Sequence, residues 1–303
     1  MKIKHKKYII FFLLIVILFF LFYRAYKNIN IEKFENINNV CIVWNNKIDD
    51  KTNQGFGDRI RGVIYVYRYF MNLNSNIKIT VNANDDTCGD ILNNVHSNNK
   101  PEQINYVYIS NAEKELEEMK NLISKDGIIY IFTNCSIKEP ILLTDDEKKF
   151  AKYISDPNDT IKMEIKQKIE KLPKNFTIKH FRFNDSIFNK DVDINDITFK
   201  KYFELLKKDY LDTDILMTNS NNFTKYAKEY LNINYIDCNN DICKVEHTGN
   251  SNEYEKVKNS FIEYNIVSMS KKIMSYTCYE WPSNFVLWTS KIYDIPFESI
   301  ENL

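Results

Sequence analysis

Glycine and proline are scarce in this chain, with six of each among 303 residues, so each marks a place where the backbone needs what only that residue supplies. There is no net charge either: 41 Lys and Arg balance 41 Asp and Glu, which leaves no basic surplus for nucleic acid. No repeat recurs at solenoid spacing, and no low-complexity tract stands out from a general richness in Asn, Ile and Lys. There is no Gly-x-Ser-x-Gly and no evident His partner for a nucleophile, so a hydrolase of that type is not indicated. What is present is apolar and aromatic. Hydrophobic residues make up 44%, with 20 Tyr and 20 Phe, enough to build real cores in one large domain or two small ones.

Tyr8 to Tyr23 is an unbroken apolar run of 16 residues, with Lys2, Lys4, Lys6 and Lys7 before it and Arg24 and Lys27 after it. Flanking cations and interfacial tyrosines let so short a run span a bilayer, and no small-x-small cleavage site follows. The expectation is an uncleaved signal anchor at 8–23, a cytosolic tail at 1–7, a stem at 24–38 and the remaining chain across the membrane. All six cysteines (Cys41, Cys88, Cys135, Cys238, Cys243 and Cys278) follow the anchor, which permits up to three disulfides. Asn-x-Ser/Thr sequons begin at Asn134, Asn158, Asn175, Asn184 and Asn222.

Beyond the stem, β-like apolar runs alternate with helical periodicity. Strands are predicted near 40–44, 77–81, 104–109 and 128–133, and helices near 58–72, 112–123 and 145–155. A polar helix at 159–172 ends at Pro173, after which the alternation restarts with strands near 176–183, 215–218, 233–237 and 272–276. That order argues for parallel sheets with crossover helices in two Rossmann-like halves, 39–172 and 173–303, joined by the charged segment near 156–175.

Three stretches could carry chemistry. The first is Gly55-Phe56-Gly57-Asp58-Arg59-Ile60-Arg61-Gly62, a glycine turn after a strand and before a helix. It lacks the Lys-Ser/Thr of a P-loop and the third glycine of the dinucleotide fingerprint. Asp58 is expected to cap the helix, which puts Arg59 and Arg61 in its first turn, the unfavourable end for cations unless an anion docks there. The alternative is that these arginines pair with nearby carboxylates. In the second stretch, His180 and Arg182 share one face near the end of a strand and Asp185 follows; a pairing of Arg182 with Asp185 is the plain alternative. The third is Tyr279-Glu280-Trp281-Pro282-Ser283-Asn284-Phe285, where Pro282 is expected to open a helix whose start offers polar groups to a phosphate.

In order and spacing these three stretches resemble the α-1,2/α-1,6/protein-O-fucosyltransferase superfamily, which includes the nodulation fucosyltransferases. The resemblance covers about residues 40–296. It implies a GT-B fold and an inverting, metal-free transfer from GDP-fucose to a glycan or protein hydroxyl, with no cofactor beyond the donor. It also implies a type II membrane protein of the Golgi or ER with a luminal catalytic domain. By the same resemblance Arg182 would hold the donor's phosphates and His180 would shape its pocket. Ser283, Asn284 and Phe285 would form the late donor-binding segment, and Gly55, Gly57 and Arg59 would line the cleft from the first half. Asp58, Asp185 and Glu280 are the carboxylates within the motifs and the candidates for the base. The sequence departs from the pattern at Phe183 and Asn184, where the family commonly carries a second basic residue or a glycine; a glycan on the Asn184 sequon would block the cleft.

Other readings stay open. Asp191/Asp193 and Asp212/Asp214 mimic the metal-holding pair of a GT-A transferase. Cys238, Cys243 and His247 fit a local disulfide better than zinc. A catalytically inactive, anchored protein that binds nucleotide sugars or glycans would share the same motifs.

Overall fold

The computed structural model describes residues 15–18, 39–44, 55–73, 75–83, 87–96, 107–109, 128–133, 142–184, 190–238, 241–242 and 254–303. In the first half, β1 (Asn39–Trp44) leads to α1 (Phe56–Leu73), β2 (Lys78–Ala83), α2 (Cys88–Ile91), β3 (Val95–His96), β4 (Val107–Ile109) and β5 (Ile128–Thr133). Two helices follow, α3 (Asp145–Ile154) and α4 (Asp159–Ile169). The second half runs β6 (Thr177–Arg182), α5 (Ile197–Asp209), β7 (Asp214–Thr218), α6 (Asn221–Leu231), β8 (Asn234–Tyr235), β9 (Asp237–Cys238) and β10 (Asp241–Ile242). It ends with α7 (Tyr254–Val267), β11 (Lys272–Thr277), α8 (Asn284–Tyr293) and β12 (Phe297–Ile300).

Two five-stranded sheets result, ordered β3-β2-β1-β5-β4 and β12-β11-β6-β7-β8. Every pairing within them is parallel. Their central strands, β1 and β6, are buried almost throughout, which is why they read as near-continuous apolar runs rather than alternating ones. This is the α/β architecture of two parallel-sheet halves that the alternation predicts, and it is consistent with a GT-B-like fold.

Helix starts follow local chemistry. Thr144 and Glu147 form a reciprocal capping box on α3, while Asn158, Asp196 and Ser220 cap α4, α5 and α6. Two sequon amides are thereby engaged within the protein: Asn158 Nδ2 donates to the Asp90 carbonyl and Asn222 Nδ2 to that of Val192. Asn175 and Asn184 are exposed.

The segment near 156–175 is not a plain linker. Its helix α4 packs on α7, and Asn93 and Asn158 exchange backbone bonds with Asp156 and Ile91 across the α2–α4 region. Arg68 on α1 forks onto the buried carboxylate of Glu147 on α3. The C-terminal helix α8 in turn packs on α1 and α3, with Lys148 paired to Asp294 at 2.6 Å. One apolar core thus runs from Ile42, Val63 and Phe70 of the first half to Phe261, Tyr264 and Ile292 of the second. A separate aromatic cluster of Phe181, Phe183, Phe199, Tyr202, Phe223 and Tyr276 fills the other face of the second sheet.

Several sequence expectations are corrected. The first helix starts at Phe56, so Asp58 lies inside it, and the Gly55 carbonyl closes the first turn by accepting from the N–H groups of Asp58 and Arg59. The last helix starts at Asn284 with Ser283 at the N-cap, which leaves Pro282 outside it. The strand predicted near 233–237 divides into β8 and the start of the antiparallel β9–β10 hairpin. β12 is unforeseen: Phe-Glu-Ser-Ile is short, half polar and lies on an edge, so it carries no strand-like run. Cys41 is a buried free thiol, so three disulfides cannot all form.

The helix expected near 112–123, Cys135, Cys243, His247 and the Asn134 sequon fall outside the described residues. So does the expected anchor except Ile15–Leu18, which is helical and exposed. Among the described residues no helix is long and apolar enough to cross a membrane.

Candidate functional site

β1, β6 and β11 deliver the three motifs to the carboxyl ends of the two sheets, where open α/β sheets place ligands. Side-chain alternation along β6 fixes the direction. Ile178 belongs to the core shared with the first half, so His180 and Arg182, in phase with it, share that face. Phe181 and Phe183 enter the opposite aromatic cluster. On the neighbouring strand Ser275 is in register with His180 and Thr277 with Arg182.

The first and third motifs meet directly. Asn284 Nδ2 donates to Asp58 Oδ1 at 2.7 Å across a sequence separation of 226 residues. The same carboxylate oxygen pairs with Arg61 at 3.1 Å. Gly57 lies against the start of α8 so closely that a Cβ there would come within 2.5 Å of the Asn284 carbonyl carbon and oxygen and 2.6 Å of the Phe285 nitrogen. The glycine is therefore required by a close approach of two backbones, a contact between the halves that the sequence does not announce. With no side chain between them, the amino-terminal ends of α1 and α8 lie side by side. Ser283 makes no side-chain capping bond to α8.

The remaining motif residues divide by environment. Gly55 is half-buried at the turn, its carbonyl holding the first turn of α1. Arg59 is only 6% exposed; its guanidinium lies over the Trp44 ring at 5.6 Å and donates to Cys88 Sγ at 3.4 Å. It is thus packed within the first half, and Arg61 follows the expected alternative of pairing with a carboxylate. Phe285 is half-buried and faces Tyr264 edge-on at 6.0 Å. Arg182 is half-buried, and its carbonyl accepts from the Tyr202 hydroxyl at 3.0 Å. Glu280 is exposed, and Asp185 lies outside the described residues.

Three of the four residues in the acidic pairs take structural duties. Asp191 accepts from the Ser220 hydroxyl and the Asn222 N–H at the start of α6, and Asp193 accepts from the Asn195 N–H in a turn. Asp214 is buried beside Lys179 at 3.7 Å and accepts from the Leu211 N–H.

His180 is buried, with Nδ1 3.4 Å from Ser275 Oγ. Burial first, and the positive Arg182 second, press its pKa down to about 3, so the imidazole is neutral at physiological pH. A polar, uncharged ring beside a cation suits contact with a donor rather than proton transfer. Elsewhere, burial holds Glu263 on α7 protonated by raising its pKa to about 8, against the opposing pull of Lys168.

The two shifts act with opposite sign on stability. A depressed His180 contributes above its unfolded value near 6.5 and loses that contribution as pH falls toward 3. A raised Glu263 contributes below its unfolded value near 4.5 and loses that contribution as pH rises toward 8. Between about pH 4.5 and 6.5 the slopes, each about 1.4 kcal/mol per pH unit, cancel. Thermal melting across pH is expected to show a plateau there and a decline on either side. Glu263→Gln is expected to flatten the alkaline decline and to turn the plateau into a rise that continues to about pH 6.5; an unchanged alkaline limb in that variant would refute the assignment.

No family model and no curated protein sequence matches the chain. Among solved structures it is similar to NodZ α-1,6-fucosyltransferase soaked with GDP-fucose, at 9% identity over 83% of this chain and 92% of that one, with a TM-score of 0.49. It is also similar to fucosyltransferase NodZ from Bradyrhizobium, at 9% identity, 82% and 92% coverage and a TM-score of 0.46. The POFUT1 apo-form is similar at 9% identity, 87% and 98% coverage and a TM-score of 0.45. At that identity and below a TM-score of 0.5 these likenesses carry no weight here; the residues themselves do.

Proposed function

We propose that the protein is an inverting glycosyltransferase that moves fucose from GDP-fucose to a glycan or protein hydroxyl, anchored in the membrane through residues 8–23. The observation that carries this reading is the Asp58–Asn284 hydrogen bond and the Gly57 contact beside it, which join two motifs from opposite ends of the chain. The His180/Arg182 strand end supplies the third motif. The identity of the sugar and nucleotide follows the sequence resemblance.

In this reading the acceptor oxygen attacks the anomeric carbon while the bond from that carbon to the β-phosphate oxygen breaks. GDP leaves with the bonding pair, and the acceptor's proton passes to a carboxylate. In this reading the Arg182 guanidinium and the N–H groups at the start of α8 would supply fixed positive charge to the leaving diphosphate. Asp58, tied to Asn284 and Arg61, serves better as the bond between the halves than as the base, which leaves Glu280 and Asp185 for that role.

The test is a thermal-shift panel on the full chain, extracted from membranes, with GDP, UDP, CMP and their sugar conjugates, each with EDTA and with Mn²⁺. A ligand at 100 times its dissociation constant adds about 2.7 kcal/mol. Stabilisation by GDP and GDP-fucose in EDTA is the expected result. A response only to UDP-sugars with Mn²⁺ replaces this reading with the metal-dependent one, and no response to any nucleotide removes it. Release of the protein by alkaline carbonate would remove the anchor.

A further inference from the structure

The loop between β11 and α8 carries a feature that donor binding leaves unused. Tyr279 and Trp281 stack with ring centroids 5.4 Å apart and planes inclined by 17°. Trp281 is 58% exposed, whereas the other two tryptophans, Trp44 and Trp288, are 2% and 6% exposed. Tryptophan is on average a well-buried residue, and among the described residues Trp281 belongs to neither apolar core.

The loop under the stack is braced. The Tyr279 N–H donates to Thr277 Oγ1 at 3.1 Å, its carbonyl accepts from the Asn302 N–H at 3.0 Å, and the Leu303 N–H reaches the Thr277 carbonyl at 3.2 Å. Pro282 fixes the backbone on the other side. An outward-facing indole is thus backed by a second ring on a pinned loop, so little conformational freedom would be lost on binding.

Position adds to this. Trp281 is three residues from Asn284, so their Cα atoms lie within about 11 Å of each other. Glu280 is exposed beside it, and the Ser283 hydroxyl makes no capping bond. A flat apolar face flanked by an acceptor-only carboxylate and a hydroxyl matches a sugar ring, which has one C–H face and a rim of hydroxyls. The half-buried Arg182 and buried His180 lie deeper, on the strands, where the donor's phosphates would go.

Building on the donor reading above, we propose that Trp281, stacked on Tyr279, is the platform for a neutral pyranose of the glycan acceptor. The ring lies on the outward face of the indole, with its hydroxyls toward Glu280 and Ser283.

The test measures saccharide binding without catalysis. Lactose, cellobiose, N,N′-diacetylchitobiose and methyl α-mannoside are titrated against the full chain by saturation-transfer NMR, for wild type, Trp281→Ala and Trp281→Phe, with the GDP thermal shift measured on each. At least one saccharide is expected to bind wild type and to bind the alanine variant at least ten-fold more weakly. The phenylalanine variant is expected to stay within three-fold of wild type, and the GDP shift to be the same in all three. Binding in Trp281→Ala within two-fold of wild type, or no binding of any of the four sugars to wild type, overturns the proposal. Loss of the GDP shift in Trp281→Ala also overturns it, by making the stack a base platform. If GDP leaves wild type unmoved while sugar binding still depends on Trp281, the donor reading falls and the platform stands.

Discussion

Gly57→Ala is expected to lower the melting temperature by roughly 5–10 °C and to weaken GDP binding along with it. The added methyl would sit 2.5 Å from two backbone atoms of Asn284 and 2.6 Å from the Phe285 nitrogen. None of these can turn aside as a side-chain tip could. Relief requires α1 and α8 to separate, and both belong to the continuous core that joins the halves. Overpacking a tight core costs about 1–3 kcal/mol, and a clash against backbone on a buried seam belongs at the upper end. For a chain of this size about 1 kcal/mol moves the midpoint by roughly 2–4 °C. Separation would also stretch the Asp58–Asn284 bond, so Asn284→Ala, which deletes that bond without adding bulk, is the comparison. It is expected to cost about 1 kcal/mol. A Gly57→Ala protein that melts within about 1 °C of wild type would show that the halves do not meet there.

Much of this architecture was legible in the sequence because its signals are local. The run Val40-Cys41-Ile42-Val43-Trp44 reads as a strand buried on both faces, and it is the centre of the first sheet. The 3.6-residue spacing of Ile60, Val63, Ile64 and Tyr67 reads as a helix packed on a core. The strand phase of His180 and Arg182 was readable in the same way, since alternation alone sets their shared face. The contacts that define the site were not readable. Nothing within Gly55–Gly62 says that its second glycine exists to admit the backbone of Asn284. A glycine turn followed by a capping Asp is the cheaper local explanation, and the tertiary contact overrode it. The inward contact of Arg59 was equally invisible. A cation at a helix start suggests an anion outside, but Trp44, from the end of β1, provides an aromatic face inside. β8, β9 and β12 were missed or merged because edge strands of two to four residues have no periodicity to detect.

Arg182→Ala is expected to remove sugar transfer, with kcat/KM falling at least about 10³-fold, while the fold stays intact. The structural half of this rests on what Arg182 contributes to folding. Its backbone pairs with Thr277 at the end of β6, and its carbonyl accepts from Tyr202. An alanine preserves both, so the variant is expected to fold, with a single cooperative melting transition at neutral pH. The functional half rests on charge. In the proposed transfer, negative charge would grow on the leaving diphosphate, and removing one fixed donor to such an anion costs about 10²–10³-fold in rate, more where an arginine is the principal cation. Arg182→Lys keeps the charge but loses the planar fork, and is expected to fall between the two. An internal control comes from His180. Burial is the larger cause of its depressed pKa and the Arg182 charge the smaller, so the alanine variant should let that pKa rise part of the way back. The acid-side loss of stability, which spans the gap between the unfolded value and the folded one, should shrink accordingly. An Arg182→Ala protein with a smaller acid-side loss and no transfer would place the cation beside His180 and assign it to the chemistry. The same change in the acid limb with full transfer would keep the placement and reject the role.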